Sequence, residues 1–138
     1  MLEVEVRNIP GEPAAIGNAG PHTVVVDRPT DAGGRGLGFN GGELLYLAIA
    51  GCVSNDLFRE ARTLAITIDR VRVRVRGDFS GDPAVSTEVV YDVELEGDAT
   101  DDELQALIER VDAIAEIPNS LRRGTAVRLG HARVAGAT

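Results

Sequence analysis

One thiol, Cys52, stands in the most apolar stretch of the chain, and Asn55, Asp56 and Arg59 follow it at i+3, i+4 and i+7. On a helix these positions share a face. A thiol in such company has the makings of a nucleophile or redox centre. Its thiolate is the reactive form, a nearby guanidinium favours that form, and a nearby carboxylate opposes it. The same residues also suit a plainer role, with Asn55 and Asp56 bonding each other or nearby backbone and Cys52 filling space. Glu43 lies nine positions before Cys52. Nine residues of ideal helix turn through about 900° and rise roughly 13 Å, so the carboxylate and the thiol cannot meet within one helix. Glu43 reaches a thiol only across a pair of chains; otherwise it steadies the start of its helix. Arg122 and Arg123 follow a proline turn and could supply a cation or bind an anion.

Two segments carry a family pattern. In Gly42-Glu43-Leu44-Leu45 through Gly51-Cys52, a glutamate-leucine-leucine stretch leads to a glycine-cysteine pair. Ile117-Pro118-Asn119-Ser120-Leu121-Arg122-Arg123-Gly124 has a proline, an asparagine and a leucine-arginine turn. Together they resemble the OsmC/Ohr family, whose second segment carries a cysteine where this chain has Ile117. The resemblance implies an α+β, OsmC-like fold, with antiparallel sheets packed around a long central helix in an intertwined homodimer. It also implies thiol-dependent reduction of hydroperoxides, with Cys52 attacking the peroxide and Glu43 serving across the dimer. Asn55, Asp56, Arg59, Arg122 and Arg123 are the candidate binding residues around that centre. With Ile117 in place of the second sulfur, an oxidised Cys52 has to be resolved by an external thiol or by a partner chain. The arginine that the family supplies from its N-terminal strands has no match between Gly11 and Gly20. A second reading keeps the dimer without the chemistry, as a module binding a small apolar or anionic molecule at the interface. A third is a purely structural dimer.

Composition narrows the alternatives. The chain has 138 residues, 43% of them hydrophobic, which is the size and make-up of a single globular domain spanning 1–138. A formal charge of -8 argues against nucleic-acid binding, which needs a basic face. The chain contains no lysine, so lysine Schiff-base chemistry is excluded and no cofactor is expected. His22, His131 and Cys52 are far apart in sequence, and no metal site is expected. No apolar run approaches a membrane span and no opening segment reads as a secretory signal. With a single cysteine, the expected compartment is the cytoplasm.

The elements that must position these residues follow from periodicity. Leu2, Val4 and Val6 alternate with charged residues as a first strand, and Val24-Val25-Val26 centre a second. A glycine-rich loop from Pro29 to Gly42 leads into a helix from about Gly42 to Leu64, apolar nearly all round over Leu44–Ile49 and therefore expected to be buried. Within that loop Gly36-Leu37-Gly38-Phe39-Asn40-Gly41 fits G-x-G-x-x-G. A dinucleotide loop needs a strand immediately before it, and the nearest strand ends near Asp27. Arg70, Arg72, Arg74 and Arg76 alternate with Val71, Val73 and Val75, and an acidic alternating strand follows, so a hairpin is expected with Arg74 opposite Glu88 and Arg70 opposite Asp92. Thr100-Asp101-Asp102-Glu103 is a capping box opening a second helix, which Pro118 is expected to stop. A last strand is expected from Thr125 to Val134.

Overall fold

A computed structural model describes residues 1–137. The chain runs β1 (Glu5–Asn8), β2 (Ala15–Ala19), β3 (His22–Val26), a 3-10 turn (Thr30–Ala32), α1 (Gly41–Thr63), β4 (Ile68–Arg76), β5 (Phe79–Ser80), β6 (Val85–Ser86), β7 (Val90–Gly97), α2 (Asp101–Ile114) and α3 (Glu116–Arg122). The strands form three antiparallel sheets, β1-β2-β3, β4-β7 and the short β5-β6 hairpin.

The core is an interlock of helix stripes. Val53, Leu57 and Ala61 on α1 recur at spacing four and cluster with Leu107 and Val111 of α2 and with Ala115 just beyond it. The inward valines of β4 and Val93 and Leu95 of β7 close the cluster from the sheet side. Both helices begin at built caps. Asn40 accepts from the Glu43 amide at 2.9 Å while Glu43 accepts from the Asn40 amide at 3.1 Å. Thr100 and Glu103 form the same reciprocal pair, as the sequence predicted.

The hairpin forms with its register moved by four from the expected pairing. Arg74 faces Asp92, Arg72 faces Glu94 and Arg70 faces Glu96. Glu88 is unavailable to β4 because Ser80 to Thr87 turn back as the β5-β6 hairpin, fastened where the Thr87 amide donates to the Asp78 carbonyl at 2.9 Å. Opposite charges still face each other, as in the Arg72–Glu94 contact at 3.8 Å. These pairs are exposed, so each contributes little.

Four other expectations change. β2 lies in a stretch that sequence left unassigned, where Ala15 and Gly17 alternate inward with too little apolar bulk to signal a strand. The chain breaks at Ala115, where ψ is 122°, and Pro118 sits inside the first turn of α3, where its missing N–H is no loss. Leu44–Ile49 is not buried all round: Ile49 is covered, whereas Leu47 and Phe58 are each 51% exposed on the opposite side of α1. The last strand is absent, and residues from Thr125 to Ala137 are exposed and outside any helix or strand. An alternating pattern alone cannot make a strand without a neighbouring edge to bond.

The glycine-rich loop is organised by one carboxylate. Buried Asp27 accepts from the amides of Arg28 at 2.7 Å, Leu37 at 3.0 Å and Arg35 at 3.2 Å. These bonds, that from Leu37 foremost, lower its pKa below the usual carboxylate value. The loop then lies so close to β3 that a β-carbon at Gly38 would fall 2.2 Å from the Val25 carbonyl oxygen. Gly38 thus serves close packing of the loop against the strand.

Two outcomes follow. Leu57 is fully buried, so Leu57→Ala should cost about 2–5 kcal/mol in a denaturant titration. Asp27→Asn should melt below the parent protein at pH 7. Because the folded pKa of Asp27 is depressed, its contribution is complete above the unfolded value of 3.8 and fades as pH falls through the lower folded value. The melting gap should therefore narrow below pH 3.8, and a gap unchanged with pH would contradict the assignment.

Candidate functional site

Cys52 lies half-buried on α1 at the edge of the main cluster, so its thiol is neither sealed in the core nor fully open. Looking along the helix, Leu45, Ile49, Cys52 and Asp56 form a stripe at i, i+4, i+7 and i+11, and α3 packs on α1. The elements carrying the two sequence segments are thus neighbours. Ile117 is partly buried on α3, beside the buried Pro118.

Around the thiol, the polar residues have distinct fates. Asn55 is exposed. Asp56 is 6% exposed, with one oxygen 3.0 Å from an Arg59 nitrogen and the other, Oδ2, buried without a hydrogen-bond partner. Arg59 also reaches Glu60 at 3.3 Å. Glu60 receives Arg110 of α2 at 2.6 Å, a contact that holds its pKa below the usual range and ties the two helices together.

Arg122 is occupied by its own surroundings. It donates to the Asp112 carboxylate at 2.6 Å, to the Asp112 carbonyl at 2.9 Å and to Asn119 at 2.9 Å. The Tyr91 hydroxyl donates to the same carboxylate oxygen. Asp112 is held below its ordinary pKa by the Tyr91 bond and then by Arg122, whose own pKa rises through the Asp112 bond. Tyr91 is pushed up to about 12 by burial and by Asp112. This network clamps α3 to α2 and β7, and sequence reasoning missed it because its members lie far apart in the chain. Arg123 is exposed next to it.

Glu43 points away from this region. It closes the cap of α1 and also lines an apolar cavity of about 320 Å³ with Phe39, Tyr46 and Val73. Tyr46 stacks on Phe79 with ring centroids 6.0 Å apart, and its hydroxyl is buried without a partner. A second, larger cavity of about 640 Å³ lies at the start of α1, walled by the Asp27 loop, Asn40 and Phe79. Neither brings Glu43 to Cys52 within one chain. Among the described residues no group of three His, Cys, Asp or Glu could hold a metal ion, and no helix is long and apolar enough to cross a membrane.

A family model described as "OsmC-like protein" matches residues 33–130, from the glycine-rich loop through the turn after α3. The chain belongs to the OsmC-like family. Solved structures agree at the level of fold. An OsmC-like protein from Mycoplasma pneumoniae superposes with a TM-score of 0.77 at 18% identity, covering 88% of this chain and 87% of that one. A putative osmotic stress induced and detoxification response protein from Psychrobacter arcticus gives 0.74 at 21% identity, covering 87% and 88%. An organic hydroperoxide resistance protein OsmC from Legionella pneumophila gives 0.65 at 15% identity, covering 88% and 89%. No curated protein matches the sequence at a significant level. The OsmC-like fold thus stands.

The role of Glu43 can be split by substitution. Glu43→Gln keeps a carbonyl oxygen for the Asn40 amide, so its melting temperature should stay near that of the parent protein. Glu43→Ala breaks the reciprocal cap and should cost about 0.5–2 kcal/mol, measured by thermal unfolding. Equal loss in both variants would mean that the negative charge, and not the cap, is what counts.

Proposed function

We propose that this OsmC-like protein is a thiol-dependent redox protein that reduces hydroperoxides with Cys52 alone. The observation that carries this reading is the placement of Cys52: half-buried at the edge of an apolar cluster, on the helix that leads the family pattern, with polar groups one and two turns beyond it. The naming of structural neighbours as organic hydroperoxide resistance proteins supports it. In the reaction, the Cys52 thiolate attacks the distal peroxide oxygen and the O–O bond breaks. The departing alkoxide takes a proton and leaves as the alcohol, and the sulfur becomes a sulfenic acid. An external thiol then forms a mixed disulfide with loss of water, and a second thiol releases Cys52 in the reduced state.

The working unit in this reading is an intertwined homodimer. The support is a surface that one chain leaves uncovered. Leu47 and Phe58 open outward on α1, and Val127 and Leu129 of the C-terminal arm are 95% and 82% exposed. Apolar surface of this extent belongs in an interface. Pairing of the two copies also provides the way for Glu43 of one chain to approach Cys52 of the other.

A second reading, a non-enzymatic module for a small apolar or anionic molecule, is favoured by the state of the arginines. Arg59 and Arg122 are both engaged by carboxylates, so each activates a thiol only after leaving its partner. The apolar cavity beside Glu43 and Tyr46 gives such a module a place to bind.

Turnover of cumene hydroperoxide with an added dithiol should be measurable and should vanish in Cys52→Ser. Turnover retained in that variant, or absent in the parent protein, leaves the module as the better reading. Sedimentation should give a dimer at micromolar concentration, and a stable monomer would sink the proposed assembly. Ile117→Cys should form a disulfide with Cys52 under mild oxidation, which requires Cα atoms within about 7 Å. Failure to cross-link, read by mass and thiol titration, would mean that Ile117 does not occupy the place of the family's second sulfur.

A further inference from the structure

The unpartnered oxygen of Asp56 has no role in the fold as described. A buried carboxylate oxygen without a donor is costly, and it is an open acceptor for a donor that comes within reach. One oxygen of Asp56 is already held by Arg59 at 3.0 Å, which leaves Oδ2 as the free acceptor. The residue is 6% exposed, so the surroundings limit which groups can reach that oxygen.

Helix geometry identifies the neighbour. Side chains lean toward the N-terminus of their helix, which carries the carboxylate at position 56 back over the turn holding Cys52. The two β-carbons of an i, i+4 pair stand about 5–6 Å apart. The reduced thiol, a weak donor, makes no bond to Oδ2. Oxidation changes both reach and strength: the sulfur gains an oxygen, and that oxygen carries a good O–H donor. A hydroxyl donating to a carboxylate forms a short, charge-assisted bond. Ile117 adds the reason that this matters, because no second cysteine in the chain can condense with the oxidised sulfur.

We propose that Asp56 is the acceptor for oxidised Cys52, with the sulfenic acid hydroxyl donating to Oδ2 and thereby being held until an external thiol attacks. The inference rests on the redox reading of Cys52 and assigns Asp56 as its positioning residue. In forming the acid, sulfur loses two electrons to the peroxide. The S–O bond replaces the O–O bond, and the thiol proton ends on the alkoxide. The new hydroxyl hydrogen comes from the peroxide and is the one that Asp56 receives. The carboxylate thus does nothing for the reduced thiol and acts on its product.

The test uses the full chain oxidised with excess hydrogen peroxide, which oxidises a thiol whether or not the protein turns over organic hydroperoxides. Peroxide is then removed, and the fraction of Cys52 still captured by dimedone is followed over time by mass. The parent protein should hold the sulfenic acid about tenfold longer than Asp56→Asn, the low end of what a bond to a charged group supplies. Arg59→Leu, which removes the other partner of Asp56 and leaves Oδ2 in place, should stay within about twofold of the parent protein, since the acceptor is retained. Asp56→Ser carries the same measurement if Asp56→Asn does not fold. Equal lifetimes in the parent protein and the Asp56 variants would overturn the proposal, and so would no detectable sulfenic acid in the parent protein. An equal loss in Arg59→Leu and Asp56→Asn would overturn it as well, by marking a general loosening of α1. Loss of cumene hydroperoxide turnover alone would count against the redox reading and not against this assignment.

Discussion

The stripe that α1 presents to α2 is the constraint from which the rest of the molecule follows. Val53, Leu57 and Ala61 interlock with Leu107, Val111 and Ala115, and this contact sets the rotation of α1 about its axis. Once that rotation is set, every other position on the helix has an assigned environment. Cys52 comes to the rim of the cluster, Asp56 goes under cover, and Leu47 and Phe58 are turned outward. The Glu60–Arg110 pair works in the same direction, since it fixes the two helices lengthwise near one end of their contact. A small turn of α1 would carry thiol and carboxylate together toward cover or toward solvent, since they share one face, so the environment of both is subordinate to the packing of the stripe.

The far side of the site is held by a different kind of force. α3 is short, and few contacts of its own would keep it in place. Its position relies on Arg122, which is bound to Asp112 of α2 in company with Tyr91 of β7. A short helix is thus fixed by a charged network beside an apolar cluster. The consequence is that the Arg122 guanidinium is committed to structure.

Much of this was legible from residue patterns, and the failures have physical causes. The capping box at Thr100, the long helix around Cys52 and the valine-arginine alternation of β4 are local signals, and each appears in the fold as read. The register of β4 with β7 was misread because it depends on how many residues the intervening β5-β6 hairpin consumes, a quantity that strand alternation does not contain. β2 escaped notice because alanine and glycine carry little β signal. At the site, the pairing of Asp56 with Arg59 fits their spacing on one helix. The Tyr91–Asp112–Arg122 network was not legible, since sequence separation hides contacts between elements. The Thr125–Val134 pattern describes a segment with strand chemistry that is exposed and pairs with no strand among the described residues.

The Asp27 loop constrains how a protein like this can diversify. Its backbone is pinned by three amide bonds to one carboxylate, and a β-carbon at Gly34 would come within 2.1 Å of the Arg28 carbonyl oxygen. Such a wall is intolerant of added volume, insertion or a shift in register. Phe79 also lines the cavity at the start of α1, on a short hairpin whose strand residues are exposed, with its ring stacked on Tyr46. Variation in what that cavity admits is therefore channelled to one side of it. Changes in the exposed hairpin that carries Phe79 can resize the opening, while the Asp27 loop acts as the fixed jaw against which any such change is measured.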